Sequence, residues 1–224
     1  MVEQMDINQL NILYEDDNLI AVDKSEGIAS ISENDTAIKT VHSLLEEKYS
    51  QKIFIVHRID KEVSGLILFA KNSKAHKYLN DQFAARTVKK NYIALAHGLI
   101  KESNDRINKP IREFGSGRMG VDEKKGKPSI TDYKVVERFD NYSLLNISII
   151  TGRRHQIRVH LYYIGHPVVG DLRYGDIKIQ EQYPRLMLHA QKIEFELPGN
   201  KKILIESPLP DSFLRVKESL SIPK

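Results

Sequence analysis

The sequence predicts an α+β fold, a mixed and mostly antiparallel sheet flanked by helices. Three observations predict it. Short apolar runs follow one another directly in several places, two amphipathic helical patterns are interspersed among them, and polar turns such as Asp16-Asp17-Asn18 punctuate the chain. At 224 residues, 41% of them hydrophobic and 29% charged, the chain can bury a sizeable core and has a globular rather than a disordered composition. We read residues 1–224 as a single domain whose core spans about 12–216.

Residues 12–14 and 19–22 read as short strands divided by that polar turn, so a hairpin opens the fold. Over residues 37–49, Ile38, Val41, Leu44 and Leu45 recur at helical spacing, and residues 73–85 repeat the pattern through Ala75, Tyr78, Leu79 and Phe83. Between these helices, Gly65-Leu66-Ile67-Leu68-Phe69 is too short for a free helix and suits a buried strand. Further strands are expected at 91–96, 131–136, 143–150, 186–195 and 203–205, with a helix over 154–164. Residues 107–129, rich in Gly, Lys and Pro and without periodicity, are expected to form a long loop, mobile or ordered by a ligand.

Composition narrows the chemistry. With no Cys there is no disulfide framework, no thiolate nucleophile and no Cys-based zinc site. The apolar runs are far too short to span a bilayer and the amino terminus is polar, so neither secretion nor membrane insertion is expected and a cytoplasmic location is. Lys plus Arg exceeds Asp plus Glu by 34 against 30, a net charge of +4 that permits a polyanionic partner. The distribution says more: residues 152–160 hold three Arg, two His and no acid, and Arg86, Lys89 and Lys90 make a second basic cluster. Both are candidate phosphate contacts.

Four motifs are decoys. Gly115-Ser116-Gly117-Arg118-Met119-Gly120 spells a dinucleotide fingerprint without the strand before it or the helix after it. Gly120 to Gly126 misses P-loop spacing by one residue, and Pro128 stands where Ser or Thr is required. His57-Arg58-Ile59-Asp60 lacks the other kinase motifs. His155, His160 and His166 lack metal-ligand spacing and are expected to be hydrogen-bonding or phosphate-facing histidines, with no metal site.

What remains is Asp60, a carboxylate set among basic residues just before an apolar run. By itself it reads more readily as a loop ion pair than as a nucleophile, and it is the surrounding blocks that reverse this. Its segment, 56–72, is followed by Lys89-Lys90-Asn91-Tyr92, by Thr151-Gly152-Arg153-Arg154-His155-Gln156-Ile157-Arg158, and by Gly165-His166-Pro167 through Tyr174-Gly175. In order and together these blocks resemble the RluA/RsuA-type RNA pseudouridine synthases, and weaker matches at the head and tail extend the likeness over nearly the whole chain. Ile59 stands where that family usually has Leu, Val63 where Thr is common, and Lys24-Ser25 where Lys-Pro often occurs. None of these departures removes a reactive group.

The resemblance implies a pseudouridine synthase catalytic fold with a central basic cleft, isomerising a uridine in structured ribosomal or transfer RNA. It implies that Asp60 is the catalytic carboxylate, that Arg158 is its cationic partner, and that Tyr92 stacks on the uracil and takes part in proton transfer. Attack on the sugar, attack on the base and abstraction of a sugar proton all remain open for Asp60. RNA contacts are expected from His57, Arg58, Arg86, Lys89, Arg153 and Arg154. A redox-neutral isomerisation calls for no cofactor and no metal; a monomer without a separate N-terminal RNA-binding domain is expected. The rival readings are a catalytically silent RNA-binding protein on the same scaffold and a glycosidase-like hydrolase acting through Asp60.

Overall fold

A computed structural model describes residues 10–32, 39–199 and 201–220. The chain divides into two units, Met1–Val88 with Ala190–Pro208, and Lys89–His189 with Leu209–Lys224.

In the first unit the expected hairpin forms from β1 (Asn11–Glu15) and β2 (Leu19–Lys24), paired antiparallel. Its turn is set by Asp16, whose Oδ1 accepts the N–H groups of Asn18 and Leu19 at 2.7 Å each. Next to β2 lies β4 (Ser64–Ala70), every residue of which is buried, with the short β3 (Phe54–Ile55) on it. The continuous apolar run has a simple cause: alternate side chains enter different clusters. Ile67 and Phe69 pack with Ile20, Val22 and the helix α1 (Val41–Tyr49) through Val41, Leu44 and Leu45. Leu66, Leu68 and Ala70 pack instead with Leu79 of α2 (Ser73–Ala85) and with Ile193, Phe195 and Ile205.

Those last residues come from β11 (Leu188–Leu197) and β12 (Lys201–Glu206), an antiparallel pair returning late in the chain. Gly65 has φ +108°, and a methyl group there would run into the backbone of Ala190, so this position needs glycine. Helix α1 begins at a Thr40–Ser43 capping box, and α2 at Asn72, whose side chain accepts the Ala75 N–H at 2.9 Å. Ile38, expected in the first of these helices, lies outside the described residues.

The second unit carries β5 (Lys89–His97), β6 (Asn104–Asn108), β9 (Ile130–Phe139) and β10 (Tyr142–Ile149) in the order β5-β10-β9-β6, each neighbouring pair antiparallel. The α+β expectation and its mostly antiparallel sheet therefore hold. One expectation needs correction. Residues 107–129 are not a plain loop but contain a second hairpin, β7 (Ile111–Glu113) with β8 (Met119–Val121). Strands of three residues are too short to show a period; the hairpin is fixed instead by its turn, where Gly117 at φ +72° donates to Phe114 O at 2.8 Å.

Helix α3 (Gln156–Tyr163) starts two residues later than expected because His155 is left-handed, at φ 54°. Two helices were not foreseen, α4 (Ile177–Gln180) and α5 (Asp211–Leu220); the second follows Pro210 and fully buries Phe213. Among the described residues, no helix is long and apolar enough to cross a membrane.

Candidate active site

Asp60 sits half-buried in the loop that feeds β4, and the first unit fixes the backbone of that loop from several sides. Ser30 Oγ donates to Ile59 O at 2.7 Å and accepts the Ile59 N–H at 3.3 Å, while the Val63 N–H closes a turn onto Asp60 O at 3.1 Å. Lys24 is fully buried, and its ammonium donates to the carbonyls of Ser25, Ile28 and Lys61 at 3.0, 2.8 and 3.1 Å. Gly27 N–H adds a bond to Lys61 O at 2.9 Å. A buried cation is costly unless its donors are satisfied. Here the acceptors belong to the backbone on either side of the loop, so satisfying the charge also sets the path of the chain past Asp60.

His57 has a structural role in the same segment. Its Nε2 accepts the Leu68 N–H at 3.0 Å and its ring lies 5.2 Å from Phe83 at an interplanar angle of 23°. Arg58 is exposed. Arg86 is exposed too and closes α2 as a left-handed C-cap at φ 59°.

The second unit supplies Tyr92, Lys89, Arg153, Arg154 and Arg158. Tyr92 is 8% exposed on β5, opposite Ile147 of β10. Beside it Lys90 is partly buried, and desolvation lowers its pKa. Lys89 is exposed at the start of β5. Arg153 donates through Nε to Pro128 O at 3.4 Å, and Arg154 pairs with Glu113 at 3.0 Å.

Arg158, near the start of α3, is buried. Its Nε and Nη2 donate to Asp171 Oδ2 and Oδ1 at 2.8 and 2.9 Å, with 4% and 0% of the two side chains exposed. This fork-to-fork pairing fixes the guanidinium plane. Asp171 is held in turn by the N–H groups of Arg173 and Tyr174 at 3.0 and 3.2 Å. The Tyr174 ring stands 5.3 Å from the Arg158 guanidinium, its hydroxyl is 2.8 Å from His155 Nδ1, and it accepts the Met119 N–H at 3.3 Å. Burial raises the Tyr174 pKa, so the phenol stays protonated.

Sequence reasoning gave Asp171 no role of its own within the 165–175 block; the structure makes it a direct partner of Arg158. It also missed Gln156, which anchors the start of α3. Gln156 Oε1 accepts from Thr151 Oγ1 at 2.7 Å and Arg153 N–H at 3.1 Å, and Nε2 donates to Ile130 O at 2.9 Å and Thr131 Oγ1 at 3.0 Å. An amide with all four bonding positions filled cannot be told from any other Gln in sequence.

The three histidines weighed as metal ligands are hydrogen-bonded, as expected: His155 to Tyr174, His160 to Thr131 and Lys109 O, and His166 to His97 O. Among the described residues no cluster of His, Asp or Glu suits a metal ion. Of the fingerprint-like glycines, Gly115 and Gly117 fall in the β7–β8 turn and Gly120 within β8.

These elements have known counterparts. Residues 18–163, a span that includes Asp60, Tyr92 and Arg158, match the family model described as RNA pseudouridylate synthase. The chain belongs to that family, in its RluA/RsuA branch, and is an isomerase that acts on RNA. It is 38% identical over 218 residues to the ribosomal large subunit pseudouridine synthase C of Vibrio vulnificus, covering 93% of this chain and 69% of that protein. It is 33% identical to the uncharacterized RNA pseudouridine synthase YlyB of Bacillus subtilis, over 98% of this chain and 75% of that one. Among solved structures, human RNA pseudouridylate synthase domain containing 1 superposes with a TM-score of 0.77 at 29% identity, covering 99% and 98% of the two chains.

Proposed function

We propose that Asp60 is the catalytic carboxylate of a uridine-to-pseudouridine isomerisation in ribosomal RNA, residues 1–224 being a single catalytic domain with a basic cleft. The reaction breaks the N1–C1′ bond, turns the uracil and joins C5 to C1′. The C5 proton then leaves and N1 gains one, so atoms and oxidation state balance. A carboxylate suits a role at the sugar or the base, and Arg158 is the cation that keeps it ionised and aimed. Asp171 takes Nε and Nη2 of Arg158 and so holds the guanidinium in one plane, as an orienting role requires. Tyr92 is the ring that stacks on the extruded base and the hydroxyl that handles the proton at C5.

His57, Arg58, Arg86, Lys89, Arg153 and Arg154 are assigned to the RNA, whose target base must be unstacked at a cost of roughly a few kcal/mol. The observation that carries this reading is the clamped loop at Asp60: a buried Lys24 and Ser30 hold the backbone there as a preorganised site requires. The ribosomal substrate class rests on the relatives named for the large ribosomal subunit.

Tritium release from RNA carrying uridine labelled at C5 tests the assignment. Wild type should release label, and Asp60→Ala should fall to background while still binding RNA. Release by Asp60→Ala at the wild-type rate would remove Asp60 from the chemistry. Mapping pseudouridines in cellular RNA with and without the protein should show a lost site in large-subunit RNA; a site lost from transfer RNA would overturn the substrate class.

A further inference from the structure

The β7–β8 hairpin and the C-terminal end of α3 form an exposed face on which arginines lie over aromatic rings. The inner side of the hairpin is fastened: Ile111 and Met119 pack with Val159 and Tyr174, and Arg173 Nη2 donates to Gly117 O at 2.7 Å. On the outer side the Arg112 guanidinium lies 4.2 Å from the centre of the Phe114 ring, and that of Arg118 lies 5.5 Å from the Tyr162 ring. Phe114 and Tyr162 are 37% and 48% exposed, a large apolar display for rings so close to charge.

The charges on this face are sorted. Residues 109–128 contain six cations and three acids. Each acid is matched: Glu113 pairs with Arg154 at 3.0 Å, Asp122 with Arg112 at 2.6 Å and Glu123 with Lys109 at 2.6 Å. Arg118, Lys124, Lys125 and Lys127 have no acidic partner among the described residues. The hairpin thus offers exposed aromatic surface with Arg118 at its tip and unneutralised positive charge at its base, where Lys127 pairs with Ile111.

We propose that this face docks unpaired nucleotides of the RNA substrate, with bases stacked on Phe114 and Tyr162 and phosphates on Arg118 and Lys124 to Lys127. Unpaired bases have open π-faces, whereas those of an A-form duplex are stacked on one another, so exposed rings beside cations select single-stranded or looped RNA. The proposal takes from the preceding reading only that RNA is the ligand.

A single-stranded oligoadenylate, which contains no uridine to isomerise, is the probe, measured by fluorescence anisotropy with the full chain. Phe114→Ala/Tyr162→Ala should weaken its binding at least about fivefold with an unchanged salt slope, and Trp at both positions should restore it. Arg118→Gln/Lys125→Gln should lower the salt slope by about 1.4, two phosphates at roughly 0.7 each. An alanine pair that binds within twofold of wild type would overturn the proposal, as would wild type binding an A-form duplex more tightly than the single strand. The outcome is independent of Asp60, since tritium release and oligoadenylate binding are read separately.

Discussion

Lys24 in the first unit and Arg158 in the second are both buried almost completely, and each is satisfied in a different way. In the first, Lys24 is met by three backbone carbonyls; in the second, Arg158 is met by the carboxylate of Asp171. Carbonyls from separate stretches of chain, once gathered on an ammonium, fix the course of a loop. A carboxylate gripping a guanidinium fixes the orientation of a side chain. The difference teaches that the two units prepare different things, a backbone in one and a charged group in the other, although both begin with a buried positive charge.

Removing the carboxylate is the harshest way to break this comparison. Asp171→Ala leaves a buried guanidinium without its main counter-charge and should cost about 3–5 kcal/mol in chemical denaturation. Asp171→Asn, which keeps an acceptor and the volume, should cost less and lower turnover with little change in KM, because Arg158 would lose its fixed plane. A cost under about 1 kcal/mol for the alanine variant would show that the pair does not hold this part of the second unit.

Lys24→Met should be milder, about 1–3 kcal/mol, since carbonyls deprived of a donor are the chief loss. Its signature is local: amide exchange at Gly27 and Val63, whose N–H groups bond across the Asp60 loop, should speed up more than exchange within β4. Uniform acceleration over the first unit would mean that Lys24 serves global stability rather than the path of the loop.

Acid gives the smallest and most graded test. His160 is buried, its Nε2 donates to Lys109 O at 2.9 Å, and its Nδ1 lies 2.8 Å from Thr131 Oγ1. Burial lowers its pKa below the ordinary 6.5, so the folded protein holds it neutral where the unfolded chain would protonate it. Its contribution is therefore complete above the unfolded pKa and is lost as pH falls from about 6.5 toward the folded value, by at most about 1.4 kcal/mol per pH unit. Desolvation lowers the pKa of His97, also in the second unit. Urea midpoints at pH 7, 6 and 5 should fall less steeply in His160→Gln than in wild type. An equal slope would show that His160 does not titrate on unfolding.

Legibility in the sequence followed the length over which a signal repeats. Helix α2 matched its expected span of 73–85, because four apolar positions at helical spacing outvote any local ambiguity. β4 was legible from its composition and bounds. Strands β7 and β8 were not, since three residues carry no period and, besides their own turn, they are held by Tyr174 and Arg173, far away in sequence. At the site, residue types and their order pointed to Asp60, Tyr92 and Arg158, but Asp171 looked like any turn aspartate. What distinguishes it is the guanidinium brought against it by α3, a fact of packing rather than of spacing.

β4 also sets a problem in time. It is paired by β2, made just before it, and flanked in the sheet by β11, whose residues emerge more than a hundred positions later. At about 5–20 residues per second of synthesis, a seven-residue strand waits on the order of ten seconds with only the two residues of β3 paired to it besides β2. Lys61 and Glu62 before it and Lys71 after it are charges in the positions where gatekeepers against edge-to-edge association belong. During its manufacture, charge at both ends of the strand opposes its pairing with a neighbour's sheet.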